Sequence, residues 1–137
     1  MPTKTLRHFL KAAFCALLLM GLAACSEQPI SDIKAPAAIK AIRSGDDKAW
    51  DAVRSKKVRW AGSVEKVLMV HGDEFVKEYF LRFDPGFGKG AIAEVQINPS
   101  AAENYRPGQA ITVTGIVLSH EKEGETTIVK LGSGKIE

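Results

Sequence analysis

Two seven-residue segments of this chain share one pattern, and each carries a glycine near its middle. VRWAGSV occupies residues 58–64 and ITVTGIV occupies residues 111–117. In both segments apolar residues alternate with other residues, which is the period of a half-buried β-strand. A glycine inside a strand typically marks a sharp bend or a close approach by another backbone. The repeated pattern therefore predicts two strongly coiled strands, as a small barrel requires.

Three further segments have the alternation and the flanking turn residues of strands. They are FVKEYFLRF (75–83), AIAEVQI (91–97) and TTIVKLGSGKI (126–136). The first strand also changes its apolar parity between Val64 and Val67, which predicts a β-bulge. Asn98-Pro99-Ser100 predicts the start of a short helix, and EKEGE (121–125) predicts a charged turn between the fourth and fifth strands.

Five strands with a short helix between the third and the fourth follow the order of the OB-fold, a Greek-key barrel. VRWAGSV and RPGQAITVTGIV (106–117) also resemble the small OB-fold domains of the tRNA-anti-like and bacterial OB-fold groups. The resemblance covers about residues 56–137 and implies a fold without catalytic residues. The predicted fold class is mainly β, a five-stranded OB-fold-like barrel over residues 57–137. Strands one and four are neighbours in it, so Gly62 and Gly115 are predicted to occupy comparable corners.

Ahead of the barrel, residues 37–56 have a helical pattern. Ser44-Gly45 interrupts this pattern, and Asp46 or Asp47 is suited to cap a second helix. The segment therefore predicts one or two short helices that pack on the barrel, with Trp50 as a core anchor.

The first 24 residues have the composition of an export signal. Three basic residues and no acid precede the apolar run AAFCALLLM (12–20), which is shorter than the roughly 20 residues that span a bilayer. Leu22-Ala23-Ala24-Cys25 then resembles the lipobox of bacterial lipoproteins, which implies cleavage before Cys25 and acylation of that residue. Residues 1–24 are therefore predicted as a lipoprotein signal peptide, and residues 25–36 as a lipidated cysteine with a flexible tether.

Lipidation at Cys25 predicts a protein that stays on a membrane, since two acyl chains already give stable anchoring. The membrane, reached through acyl chains on Cys25, is thus the first predicted partner. In enterobacterial lipoproteins an aspartate after the lipidated cysteine favours retention in the inner membrane. Here Ser26 follows the cysteine, so the resemblance implies an outer-membrane location facing the periplasm. The alternative is an ordinary signal peptide cut near Ala24, which leaves Cys25 as a free thiol.

The basic surplus of the whole chain belongs to the predicted signal. Of the 19 basic and 16 acidic residues, the first 24 positions hold three basic ones and no acid, so the remainder carries 16 of each. Proteins that bind nucleic acid through its phosphates normally carry a basic surplus on the domain. The balance argues against nucleic acid as a partner and favours an oligosaccharide, a peptide or a peptidoglycan fragment.

The chain contains no sequence motif of a known catalytic class, so the predicted function is a binding or interaction module and not an enzyme. No catalytic residue, metal or cofactor is assigned. The candidate ligand-binding residues are Tyr79, on the aromatic second strand, and His71 and His120, predicted in the loops after strands one and four. Those two loops flank one binding face in OB-folds.

Two alternatives remain open for the function. In the first, a small ligand binds at the loops around His71 and His120, or a divalent cation binds there with help from carboxylates. The carboxylates near these histidines in the sequence are Asp73, Glu74, Glu121 and Glu123. In the second, the domain is an accessory subunit that docks on a larger envelope assembly through an exposed edge of the barrel.

Overall fold

The computed structural model describes residues 27–72 and 76–137, and within them two α-helices precede five strands. The helices are α1 (Ala35–Ser44) and α2 (Asp47–Asp51). The strands are β1 (Lys57–His71), β2 (Lys77–Asp84), β3 (Ala91–Ile97), β4 (Ala110–Glu123) and β5 (Thr126–Ile136), with a 3-10 helix at Pro99–Asn104 between β3 and β4. The strands close into a barrel in the order β1-β2-β3-β5-β4. The predicted mainly β, five-stranded barrel with short helices ahead of it is confirmed.

The predicted signal peptide and its lipobox lie outside the described residues. Cys25 also lies outside the described residues, and so do Asp73, Glu74 and Phe75, which follow the end of β1. Across the described part of the chain, none of the helices combines the length and the apolar character needed to cross a membrane.

β1 is long because it serves two partners in turn. Residues 57–63 run antiparallel to β4, and residues 63–71 run antiparallel to β2. The register against β2 shifts between Val64 and Lys66, so the predicted bulge is confirmed. The extra residue turns the strand and keeps apolar side chains directed inward on both sides of the bend. β3 and β5 close the ring as a parallel pair.

The two glycines of the repeated pattern lie at the places where neighbouring strands approach most closely. A Cβ on Gly62 would collide with the main-chain carbonyl oxygen of Asp84, where β1 passes from β4 to β2. A Cβ on Gly115 of β4 would lie 3.1 Å from the carbonyl oxygen of Gly132 on β5. The pattern is therefore repeated because barrel closure needs a side-chain-free position on both strands.

The core combines small β-branched residues with a few aromatic rings. Trp60 is buried, its indole Nε1 donates a hydrogen bond to the carbonyl oxygen of Ile33 at 2.9 Å, and its ring meets Phe87 edge to face. Trp50, the predicted anchor, is only partly buried at the margin of the core. The largest fully buried side chains are Phe83, Leu81, Ile128, Val58, Val95, Val113, Val117 and Val129.

The break between the two predicted helices is confirmed. Gly45 ends α1 in the left-handed conformation, at φ 68°, where glycine carries no steric penalty. The Asp46 carboxylate then accepts a hydrogen bond from the Lys48 amide at 3.1 Å and caps α2. α1 begins at Ala35, two residues before the predicted start.

The predicted flexible tether is corrected over residues 27–36, which pack against the barrel. Ile30 forms a parallel bridge with Lys57, and the Ser31 amide donates to the Lys57 carbonyl oxygen at 2.7 Å. The Lys57 ammonium also contacts the Glu27 carboxylate at 2.6 Å, and this hydrogen bond lowers the pKa of Glu27 below its ordinary value. These bonds involve main-chain groups and one ion pair, which leave no periodic signal in a sequence.

β4 is longer than predicted, and this changes the place of His120. The segment 121–125 was expected to be a turn, yet β4 continues to Glu123 and only Gly124 and Glu125 form the turn. His120 is therefore a strand residue paired with Val129 of β5, and not a loop residue. His71 is likewise the last residue of β1.

Candidate functional site

The outward-facing residues of β2, β3 and β5 form one surface, which we call the outer face. It is defined by Phe80 and Arg82 on β2, Ile92, Glu94 and Gln96 on β3, and Ile128 and Lys130 on β5. Several of these residues are buried although they point away from the barrel interior: Arg82 is 8% exposed, Glu94 7% and Ile128 0%. The hairpin that joins β4 to β5 reaches this surface through Glu123, whose carboxylate contacts Arg82.

Arg82 joins three parts of the barrel through its guanidinium. Its Nε donates to Glu94 of β3 at 2.9 Å, and its Nη2 donates to Glu123 of the hairpin at 2.7 Å. The hydrogen bond that Arg82 donates to the Glu123 carboxylate raises the pKa of Arg82, and the same bond lowers the pKa of Glu123. The planar donor fork of arginine suits such a two-carboxylate arrangement. The charge of this buried cation is thus neutralised within the protein.

A shallow groove of about 160 Å³ lies on the outer face beside this ion pair. Its lining residues are Phe80, Glu94, Val95, Gln96, Leu118, Lys130, Leu131, Gly132, Ser133 and Gly134. Phe80 and Leu118 supply the apolar side chains that remain accessible, and Leu118 is 54% exposed. Apolar walls with a small number of polar groups are the usual composition of a ligand-binding cleft.

The groove exists because β5 carries almost no side-chain bulk at this point. A Cβ on Gly132 would lie 2.6 Å from Leu118 Cδ1, and a Cβ on Gly134 would collide with Val95 Cγ2. Between them Ser133 adopts a left-handed conformation, with φ 51°. A non-glycine residue in that region is uncommon and is often found at functional sites. The alternation in residues 126–136 predicts an ordinary strand, although two glycines in a strand pattern signal a close backbone approach.

The charges around the groove balance one another. Lys130 contacts the Glu121 carboxylate at 3.0 Å, in addition to the pairs that Arg82 makes with Glu94 and Glu123. Both cations of this face are therefore paired, and the five groups carry one surplus negative charge. Among the described residues, Lys66 of β1 lies opposite Arg82 and takes part in no ion pair, so this surface offers a phosphate backbone one unpaired cation at its edge.

The structure does not bring the two candidate histidines together. β1 and β4 pair over residues 57–63 and 110–116, and His71 lies beyond one end of this ladder whereas His120 lies beyond the other. The His120 ring contacts Trp50 of α2 edge to face, with centroids 4.7 Å apart. Among the described residues no group of three or more histidine, cysteine or acidic side chains is placed to hold a metal ion.

Tyr79 lies on the inward parity of β2 and packs against the core, between Met69 of β1 and Ile97 of β3. Its neighbour Phe80 has the opposite parity and lines the groove. The alternating pattern of β2 predicts that Tyr79 and Phe80 lie on opposite faces of the sheet, but it does not indicate which of the two rings faces outward.

Comparisons with known proteins support the fold. No protein-family model and no curated protein sequence matches the chain. The barrel is similar to the crystal structure of a Klebsiella pneumoniae lipoprotein described as a candidate nucleic acid-binding protein. The TM-score is 0.60 at 14% sequence identity, and the match covers 79% of this chain and 92% of the other. The small barrel with its preceding helices is therefore an architecture shared with a solved structure.

Proposed function

We propose that this chain is a lipid-anchored binding module of the cell envelope, without catalytic activity, and that its groove binds an oligosaccharide. The observation that carries the proposal is the groove itself, which places Phe80 and Leu118 beside polar groups whose charges are already paired. The β2–β3 face of OB-folds is the surface that binds oligosaccharides and oligonucleotides elsewhere.

Charge decides between these two ligand classes. Oligonucleotide affinity rests largely on cations that neutralise phosphates. On this face Arg82 and Lys130 are both engaged by carboxylates. A sugar ring needs an apolar surface to lie on and hydrogen-bonding groups at its edge, which Phe80 and Gln96 supply. We therefore favour an uncharged glycan, although nucleic-acid binding is the role suggested for the similar Klebsiella protein.

The anchor rests on sequence. Leu22-Ala23-Ala24-Cys25 resembles a lipobox behind a basic and apolar export signal, and the similar solved structure is that of a lipoprotein. We infer acylation at Cys25 and attachment to the outer membrane, with the barrel facing the periplasm.

The groove is tested by titrating the purified protein with an N-acetylglucosamine tetrasaccharide and, separately, with an oligothymidylate of similar length. Amide resonances of groove residues, Gln96 and Gly132 among them, are expected to shift with the sugar. Phe80→Ala is expected to weaken sugar binding about tenfold, since one stacked ring contributes about 1–3 kcal/mol. Val70→Ala is the matched control, because Val70 shares the outward parity of Phe80 and is more exposed, but it does not line the groove.

The glycan assignment would be wrong if the oligothymidylate shifted the groove amides and the sugar did not. The same conclusion would follow if Val70→Ala weakened sugar binding as much as Phe80→Ala.

The anchor is tested by the intact mass of protein extracted from membranes. We expect the mass of residues 25–137 plus acyl chains, and we expect Cys25→Ala to abolish both the acylation and the membrane association. An unacylated chain in the soluble fraction would instead indicate an ordinary signal peptide.

Docking on a larger envelope assembly is a second candidate, favoured by three exposed apolar residues near the β1–β2 connection. Met69, Val70 and Val76 are 47%, 46% and 58% exposed. The closed strand order argues against docking through an open barrel edge, since each described strand is paired on both sides over part of its length. A crosslinked protein partner at Val76, without any sugar response in the groove, would favour this candidate over the first.

A further inference from the structure

We propose that a second site, separate from the groove, binds a phosphoryl group at the end of the barrel next to α1. A recess of about 380 Å³ opens there, and we call it the basic recess. It is lined by Ile42, Arg43, Lys89, Gly90, His120, Lys122, Glu125 and Thr127. The residues come from three separate parts of the chain: the last turn of α1, the segment before β3, and the β4–β5 hairpin.

The side chains of β4 divide between the two sites because the strand continues past His120. His120 pairs with Val129 of β5, and Lys122 pairs with Thr127. Both residues therefore have the inward parity, and both line the basic recess. Glu121 and Glu123 have the opposite parity and pair with cations of the outer face. The strand thus directs its carboxylates to one surface and its basic groups to the other, so two sites of different charge arise from one neutral domain.

The positive charge of the basic recess is not neutralised by the protein. Among the residues that the structure describes, Arg43, Lys89 and Lys122 take part in no ion pair, whereas Arg82 and Lys130 on the outer face do. With Glu125 as the one carboxylate in the lining, the three cations leave an excess of two positive charges with His120 neutral. A phosphate monoester carries about −1.5 to −2 at pH 7, so its charge matches that excess.

Arg43 is already oriented toward the recess. Its Nη2 donates to the main-chain carbonyl oxygen of Lys89 at 2.7 Å, which fixes a side chain that is otherwise exposed. The remaining guanidinium donors stay available, and their planar fork fits a phosphoryl group. Gly90 follows with φ 76°, a conformation that suits glycine, and brings this carbonyl beneath the guanidinium.

Two kinds of ligand would present a phosphoryl group to the basic recess. One is a free phosphate compound, and the other is a phospholipid head group. Two probes separate these sources. Inorganic pyrophosphate represents the free anion, and dihexanoyl phosphatidylglycerol represents the anionic head group in soluble form, with dihexanoyl phosphatidylcholine as its zwitterionic counterpart. Each is titrated into the full-length protein while the amide resonances of Gly90, Lys122 and Thr127 are followed.

Saturable shifts of these amides with pyrophosphate are expected, and they should weaken as salt rises, since exposed charges are screened. Arg43→Gln with Lys122→Gln should weaken binding about tenfold or more. Lys40→Gln with Lys48→Gln is the matched control, because these exposed lysines of α1 and α2 remove the same charge but lie outside the lining of the recess. A response to phosphatidylglycerol that exceeds the response to pyrophosphate, and is absent with phosphatidylcholine, would assign the head group as the source.

The proposal is overturned if none of the probes shifts the recess amides, or if the Lys40/Lys48 variant loses affinity to the same degree as the Arg43/Lys122 variant. Lys122→Gln alone repeats the comparison without disturbing the Arg43 hydrogen bond, so a folding defect does not decide the outcome. Because the groove and the recess are followed through different amides, failure here leaves the glycan proposal independently testable.

Discussion

Replacing Arg82 with methionine is expected to lower the free energy of unfolding by about 3–5 kcal/mol. Methionine keeps most of the side-chain volume but leaves Glu94, 7% exposed, as a buried carboxylate without its partner. Removing one member of a buried ion pair costs about this much because the remaining charge has lost its water and gains nothing in return. Urea unfolding followed by the fluorescence of buried Trp60 measures the change.

Two companion variants make this prediction specific. Arg82→Met combined with Glu94→Leu removes both charges, and it should recover most of the lost stability, because an apolar pair often replaces a buried ion pair at little cost. Lys130→Met breaks the more exposed Lys130–Glu121 pair and should cost no more than about 1 kcal/mol. If Arg82→Met were no more destabilising than Lys130→Met, the pair would not hold the outer face together.

The second large effect is expected at Gly62, where alanine should destabilise the barrel by about 3 kcal/mol or more. Glycine to alanine inside a strand usually gains about 0.5–1 kcal/mol, because alanine has less backbone freedom to lose. Here the added methyl collides with the Asp84 carbonyl oxygen, which is main chain and cannot rotate away. Overpacking against such a group lies at the upper end of the usual range.

Gly115→Ala supplies the graded comparison for Gly62→Ala. The nearest atom there is the Gly132 carbonyl oxygen at 3.1 Å, so a shift of a few tenths of an ångström suffices and the loss should be smaller. Ala61→Ser, at an exposed position of the same strand, should change little. A urea midpoint for Gly62→Ala equal to that of the unmodified protein would contradict the close approach of β1 and β2.

The barrel was predictable because its signals are local. Each signal is contained in a few consecutive residues: the period-two alternation, the parity change after Val64, and the glycines Gly62 and Gly115 in their strand patterns. The strand order followed from the number of strands and the helix between the third and the fourth. Residues 25–36 form no periodic pattern and are predicted as a tether, because the main-chain bonding to Lys57 seen within this segment leaves no trace in side-chain type.

The two proposed binding surfaces were predictable only in part, because they depend on contacts between distant residues. Residues 121–123 look like a turn until Glu123 meets Arg82, which lies 41 positions earlier in the chain. Arg43 and Lys89 are 46 positions apart, so the sequence does not predict that they lie next to each other. His120 was identified as a candidate, but its strand pairing places it in the basic recess, apart from His71.

The contacts of the N-terminal segment also set how far the domain can travel. The Ser31 amide is bonded to the main chain of Lys57 and lies six residues after Cys25, and six fully extended residues span at most about 22 Å. With the proposed lipid on Cys25, the barrel would stay within about this distance of the membrane surface. It then searches for its ligand in two dimensions, within a thin layer next to the bilayer. The short reach would raise the local concentration of the protein in that layer.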